Sequence, residues 1–318
     1  MIDWNHGKWF VAGHRGLAGS ALLAELGKKS VPENNLVLRS RSDLDLRDKK
    51  EVMDMFKSES PDYVIIAAAV VGGIDANRKY PVQFLKDNLE IQSNIIVSAH
   101  ETGVKKLLFL GSSCIYPKNC PQPMKPEHLL SGTLEATNEW YAIGKITGIK
   151  LCQAYAKQYG SNFISVMPTN LYGPGDNYHL SNSHVLPALI RKFHEAKEKG
   201  LDTVTCWGDG CPTREFLHSS DFASACLFAM ENYDNNEILN IGSSQEVSIK
   251  ELAETISSIV GFFGSIIWDT SMPNGTPRKL MDSSVLRNMG WTPKFSLEEG
   301  IKETYQDFLK GYNERSVS

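Results

Sequence analysis

The chain has 318 residues, of which 42% are hydrophobic and 22% charged, with a formal net charge of -4. That size suits one large domain or two intimate ones, and the ordinary composition suits a globular chain. There is no basic run, no apolar stretch near the roughly 18 residues of a membrane span, and no basic-then-apolar signal in the opening MIDWNHGKW, so the sequence argues against nucleic-acid and membrane partners and for a cytoplasmic location.

Lys8–Ala12 (KWFVA) predicts a short buried strand. It runs into Gly13-His14-Arg15-Gly16-Leu17-Ala18-Gly19-Ser20 and then the helical pattern ALLAELGKK. Strand, glycine turn and helix in this order form a phosphate cradle: Gly13, Gly16 and Gly19 permit a tight turn and close backbone approach, and the helix N-terminus at Leu17 attracts a pyrophosphate. The plainer reading is a turn that merely needs glycine.

Asn35–Leu38 (NLVL) predicts the second strand. NAD sites usually place an acid at its end for the ribose 2′-hydroxyl. Here the end reads Arg39-Ser40-Arg41-Ser42, and cations and hydroxyls suit a 2′-phosphate. NADPH/NADP is therefore the expected cofactor, with Arg15 assisting and Asp45 a candidate for the adenine edge. The alternative is a pair of solvated loop arginines. Pro61–Val70 (PDYVIIAAAV) predicts a buried parallel strand whose small residues Ala67, Ala68 and Ala69 let a cofactor approach. A helix follows over Tyr80–His100, with Leu85, Leu89, Ile95 and Ile96 on its apolar side; Asn88 and Asn94 within it read as structural.

The richest stretch runs from Lys106 to Lys150. A strand (Leu107–Leu110) ends in Gly111, Ser112, Ser113 and Cys114; a proline-punctuated loop and a helix carrying Tyr141 and Lys145 follow. Residues four apart share a helical face, so the ammonium can lie beside the phenol and favour the phenolate. A serine, a tyrosine and a lysine around one oxygen suit hydride transfer between a nicotinamide and a carbonyl. Tyr-x-x-x-Lys alone is a common accident; the glycine motif upstream gives it weight.

Asn162–Met167 (NFISVM) predicts another strand, and Pro168-Thr169-Asn170-Leu171-Tyr172-Gly173-Pro174 a departure from the sheet. Asn182-Ser183-His184 precedes a helix over Val185–Lys199, VTCWGDGCPTREFLH carries Trp207 and Arg214, and a helix from Ser219 returns to the first domain. Val247–Val260 and Ser296–Leu309 predict helices of a smaller lobe. The alternation predicts a Rossmann-type doubly wound parallel sheet with a smaller α/β substrate-binding lobe. Its expected division is 1–171 and 215–243 for the NADP-binding domain, 172–214 and 244–318 for the substrate-binding domain. Ligand is expected at the strand ends, where Gly13, Ala67 and Ser112 fall. The six cysteines (114, 120, 152, 206, 211 and 226) lack C-x-x-C spacing and read as free thiols in a reducing compartment, with no metal site.

With these residues in hand, the chain resembles the extended short-chain dehydrogenase/reductase superfamily and, within it, the GDP-L-fucose synthase family (GDP-4-keto-6-deoxy-D-mannose 3,5-epimerase-4-reductases). GHRG, SSCIYPK, QPM, LLSG, TNEWYAIGK, SVMPTNLYGP, DNYH, NSHV, REFLH and GTPRKL all look like that family's segments, from Val11 to about Leu309. The resemblance implies epimerisation of a GDP-sugar at C3 and C5, followed by reduction of its C4 ketone. Cysteine and histidine, with reference pKa values of about 8.5 and 6.5, suit such proton exchange. Cys114 matches the family's base and His184 its acid. Tyr141 would protonate the C4 oxygen, Lys145 would tune Tyr141 and hold the nicotinamide ribose, and Ser112 would orient the same oxygen. Leu110, Gly111, Pro168, Asn170, Leu171 and His184 would add to the cofactor site. Ser113, Asn170, Lys192, Trp207, Arg214 and Asn274 would add to the substrate site, with Asn182 orienting His184. Arg214 suits a diphosphate, because its fork of donors fits phosphate oxygens. A homodimer through the helices of the first domain is also implied.

Two departures stand out. Asn274 replaces an acid that accepts from guanine, and Ser220 replaces an acid at a helix start. Rival readings are another nucleotide-sugar enzyme, such as a 4-epimerase or 4,6-dehydratase, and a non-catalytic NADP-binding sensor. A 4-epimerase needs no Cys–His pair, a dehydratase would carry acids where Ser113 and Cys114 stand, and a sensor tends to lose the Tyr or Lys.

Overall fold

Trp9–Ala12 (β1) is buried at all four positions, as a strand inside a parallel sheet covered on both faces must be. The structure is a computed structural model that describes residues 2–179, 183–272 and 274–316. Gly13, at φ +82°, turns the chain out of β1 into α1 (Leu17–Lys28). β2 is only Leu36–Val37, shorter than the expected NLVL, because a 3-10 turn at Glu33–Asn35 takes up its start. α2 (Lys49–Glu59) is capped by Asp48, whose carboxylate accepts from Lys50 N and Glu51 N. β3 is Tyr63–Ile66, well short of the expected Pro61–Val70; beyond it Val70 is held off the sheet by Asn88, which exchanges hydrogen bonds of 2.7 and 3.0 Å with its backbone.

α3 (Ile74–Lys79) leads into α4 (Pro81–Glu101). The apolar side expected for this helix needs correction. Ile95 and Ile96 are buried as expected, but Leu85 and Leu89 are only half-buried, and Phe84, Asn88 and Gln92 take the inner face. Both amides are satisfied there: Asn88 Nδ2 donates to Phe84 O at 2.7 Å and Gln92 Nε2 to Gly144 O at 2.6 Å. Asn94 is structural as well, donating to Leu46 O and Arg47 O. β4 (Lys106–Leu110), α5 (Glu139–Tyr159) and β5 (Phe163–Pro168) follow, with Gly160 at φ +72° closing α5.

The chain then leaves the sheet through β6 (Asn170–Tyr172), α6 (Val185–Glu198), β7 (Thr203–Trp207) and β8 (Thr213–His218). It returns as α7 (Ser219–Asn232) and β9 (Leu239–Ile241). β10 (Glu246–Ser248), α8 (Ile249–Val260), β11 (Ser265–Asp269), β12 (Arg278–Lys279), α9 (Ser284–Asn288) and α10 (Leu297–Ser316) complete it. The helix expected from Val247 thus begins two residues later. Val247 pairs with Arg214 in an antiparallel ladder, and the Ser248–Glu251 capping box starts the helix.

Among the described residues the main sheet has six parallel strands in the order β2-β1-β3-β4-β5-β9. The order reverses beside β1, which opens a crevice at the carboxyl ends of β1, β3 and β4. Phe10, Val64 and Phe109 face one core with Ile95 and Ile149; Trp9, Val11 and Leu108 face another with Leu22 and Phe222. A third core (Leu186, Phe193, Val204, Ile256, Ile301, Phe308) fills the second lobe. β8 joins the two lobes: Phe216 enters the third core and Leu217 the second.

Candidate active site

At the end of β1 the glycines divide their work. A Cβ at Gly13 would lie 2.6 Å from Ala68 N, and one at Gly19 would lie 2.1 Å from Gly13 O, so both turns demand glycine. At Gly16 the nearest atom is Gly13 O, 3.6 Å away, and that side of the turn is open. Gly16 caps α1 without a side-chain hydrogen bond, and the first turn from Leu17 carries no acid. The helix's free N–H donors and positive end therefore fit the pyrophosphate of a dinucleotide. Ala67, Ala68 and Ala69, half-buried at the end of β3, leave room beside it.

At the end of β2, Arg15, Arg39 and Ser40 gather around Asp43: hydrogen bonds from Ser40, with help from the two arginines, hold its carboxyl below the usual range. Arg39 is less free than its position suggested. It pairs with Glu59 and also donates to Leu38 O at 3.1 Å. Arg41 is exposed. Asp45, the adenine-edge candidate, is gripped by Arg47, which pulls its pKa down to about 2.

The catalytic candidates meet at the end of β4. Ser112 opens a 3-10 turn over Ser113–Ile115, and its hydroxyl accepts from Cys114 N at 3.2 Å. Tyr141 sits over this turn. Burial raises its pKa, the Cys114 sulfur adds to the rise, and Ser112 works against it. Lys145 lies one turn along α5 as expected, but its Nζ donates to Leu110 O at 2.8 Å and stands 5.8 Å from the centre of the Tyr141 ring. The expected lowering of the phenol is not produced by the protein alone. Burial instead pushes Lys145 itself down to about 7.

His184 precedes α6 without capping it, and its imidazole makes no hydrogen bond among the described residues. The residue is exposed, yet the protein packed near its ring lowers its pKa. Asn182, its expected helper, lies outside the described residues. Pro168 ends β5 and Leu171 lies in β6, both half-buried. Gly111 and Leu110 are buried under the strand end.

The substrate candidates divide. Arg214 is half-buried, donates only to Thr213 O at 2.8 Å, and pairs with no carboxylate among the described residues, so its fork remains available to an anion. Trp207 is 62% exposed, a free aromatic face on β7. Lys192 instead donates to Thr205 O at 2.7 Å, and Asn170 to Glu215 O at 2.8 Å, so both have local work. Asn274 Oδ1 accepts from Asp209 N at 2.9 Å, which uses the oxygen expected to face guanine. Of the remaining cysteines, Cys120, Cys152, Cys206 and Cys226 are buried and Cys211 exposed, all as free thiols.

Sequence reasoning missed residues that close the pocket beside Cys114: Gln122, Glu135, Asn138, Thr276 and Lys279. Asn138 Nδ2 donates to Cys114 Sγ at 3.2 Å. Its signal was its place, one residue before the Tyr141 helix.

The model of the NAD dependent epimerase/dehydratase family matches residues 9–242. GDP-L-fucose synthase 1 of Arabidopsis thaliana is 58% identical over 303 residues, covering 95% of this chain and 93% of the relative. GDP-L-fucose synthase of Escherichia coli K12 is 52% identical over 310 residues, covering 95% of this chain and 96% of the relative. The chain belongs to the GDP-L-fucose synthase family. A crystal structure of a GDP-L-fucose synthetase from Naegleria fowleri bound to NADP superposes with a TM-score of 0.90 at 32% identity, covering 98% of this chain and 97% of that one. A nicotinamide dinucleotide is thus the cofactor class of this family member, and the glycine cradle fits it.

Proposed function

We propose that the chain converts GDP-4-keto-6-deoxy-D-mannose to GDP-L-fucose with NADPH, inverting C3 and C5 and then reducing C4. The observation that carries this reading is that the Tyr141 phenol, at the end of β4, meets both the Ser112 hydroxyl and the Cys114 sulfur. A ketoreductase needs the phenol alone; a carbon acid beside the ketone needs a second proton carrier, and the sulfur is one. The C4 ketone acidifies C3–H and C5–H, so Cys114 takes a proton from one face and His184 returns one to the other. Ser112 and Tyr141 hold the C4 oxygen as it gains charge. A nicotinamide dinucleotide held at the glycine cradle would supply the hydride that C4 needs. Tyr141 then gives its proton to the oxygen, with the phenol buried and Lys145 behind it.

NADPH is preferred over NADH on the strength of Arg15, Ser40 and Arg41 at the end of β2. Arg214 takes the diphosphate, and Trp207 packs on the guanosine. We also take residues 1–171 with 215–243 to form the cofactor domain and the remainder the substrate domain, with two copies meeting through first-domain helices in the cytoplasm. No helix among the described residues is long and apolar enough to cross a membrane.

Incubation with the keto sugar and NADPH in heavy water, read by NMR, tests the reaction. The expected product is GDP-fucose with deuterium at C3 and C5 and protium at C4. Cys114→Ser should lose the exchange while still binding cofactor, and Tyr141→Phe should impair reduction far more than exchange. A reduced sugar without deuterium would make the protein a simple ketoreductase.

A further inference from the structure

Asn138 is the N-cap residue of α5, a position where asparagine ordinarily turns its side chain back to accept from the helix's own N–H groups. Here it makes no such cap. Its Nδ2 reaches across to donate to Cys114 Sγ at 3.2 Å, and its Oδ1 is buried with no partner. The side chain thus forgoes a cap and buries an orphaned carbonyl, both unfavourable. What it gains is a donor fixed on one sulfur. That sulfur, on the half-exposed 3-10 turn, lines the same pocket as Asn138.

We propose that Asn138 is the positioning residue for the Cys114 sulfur, holding it toward the sugar carbons and supporting its anionic form. The inference rests on the reading of Cys114 as the proton carrier. An N–H donor bonds an anionic acceptor far more strongly than a neutral one. As the sulfur takes the proton, the C–H bond breaks, the S–H bond forms, and the electron pair moves onto the C4 oxygen as an enolate. The amide's advantage is therefore greatest before that step. Because Tyr141 lies three residues further along α5, one helix start sets both the sulfur that inverts carbon and the phenol that serves the ketone.

The test uses Asn138→Asp, which keeps the shape and places a carboxylate against the sulfur, with Asn138→Ala as a second variant should the first fail to fold. Iodoacetamide labelling at neutral pH, followed by mass spectrometry of the Cys114 peptide, reads the sulfur directly among the other thiols. Labelling should slow about tenfold or more in Asn138→Asp and less in Asn138→Ala, with the pH profile displaced upward and NADPH affinity unchanged. Deuterium exchange at C3 and C5 should fall in parallel. Wild-type labelling rates in both variants would overturn the proposal, as would loss of exchange with labelling unaltered. Slower labelling in a protein whose wild type exchanges no deuterium would keep the contact but overturn both the proposed reaction and Asn138's part in it.

Discussion

Lys145 carries the sharpest electrostatic conflict in the molecule. It is 3% exposed, its ammonium has the Leu110 carbonyl as acceptor, and the Phe109 ring centre lies 4.9 Å away. Burial pushes its pKa from 10.5 down to about 7. Because the folded value lies below the unfolded one, the cost is full below about pH 7, where both states are charged. It fades as pH rises towards 10.5, where the unfolded chain gives up its proton too. Lys145→Met should therefore stabilise the cofactor-free protein at pH 6–7 by a few kcal/mol, and by little near pH 10. Urea unfolding of both proteins across that range checks it; parallel pH profiles would sink the idea. The same variant should lose reduction, since the buried cation that costs stability is the one placed behind Tyr141. The Tyr141–Lys145 spacing was legible in the sequence because four residues define a helical face. The Asn138–Cys114 contact was not, because the partners lie 24 positions apart in the chain with an irregular, proline-punctuated stretch between them.

At the scale of elements, the α4–α5 pair gives a test that turns on two glycines one turn apart. A Cβ on Gly148 would lie 2.5 Å from Phe109 Cζ and 2.7 Å from Gln92 Oε1, inside a filled interface. A Cβ on Gly144 would meet Asn88 Cβ at 3.5 Å, an ordinary contact. Gly148→Ala should cost about 1–3 kcal/mol by overpacking. Gly144→Ala should be neutral or gain up to about 1 kcal/mol from helix propensity. Equal losses for the two in denaturant melts would show that the interface is not the determinant. The same interface explains why the inner face of α4 was misread: Asn88 and Gln92 look like surface residues until the carbonyls they serve, Phe84 O and Gly144 O, are brought beside them. The long elements read well, since β1, β3, β4 and β5 are near-continuous apolar runs between helices. β6, β10 and β12 did not, being two or three residues long and defined by pairing with β8 far off in the chain.

For the molecule as a whole, the two lobes are joined where β8 crosses between them, and Glu215 is the fastening. Its carboxylate is fully buried, accepts from Ser244 N at 2.6 Å and Met281 N at 3.1 Å, and is pushed up in pKa by that burial. Its own carbonyl accepts from Thr169 Oγ1 and Asn170 Nδ2. One residue thus ties the exit from β5 to the segment that follows GTPRKL. That segment is also clipped to the loop after Cys114: Met124 N donates to Leu280 O and Asp282 N to Met124 O, each at 2.8 Å, and Leu280 N donates to Gln122 Oε1. The loop after Cys114 and the segment around Leu280 are therefore bonded to each other, which brings Thr276 and Lys279 to the Cys114 pocket. Glu215→Gln keeps the shape but turns one acceptor into a donor facing a backbone N–H. It should cost about 1–3 kcal/mol of stability. It should also raise KM for the GDP-sugar several-fold while leaving the affinity for NADPH alone, because the glycine cradle at β1 shares none of these bonds. Steady-state kinetics together with cofactor titration separate the two. A weakened cofactor with an unchanged sugar KM would mean that Glu215 supports the first lobe and not the joint between them.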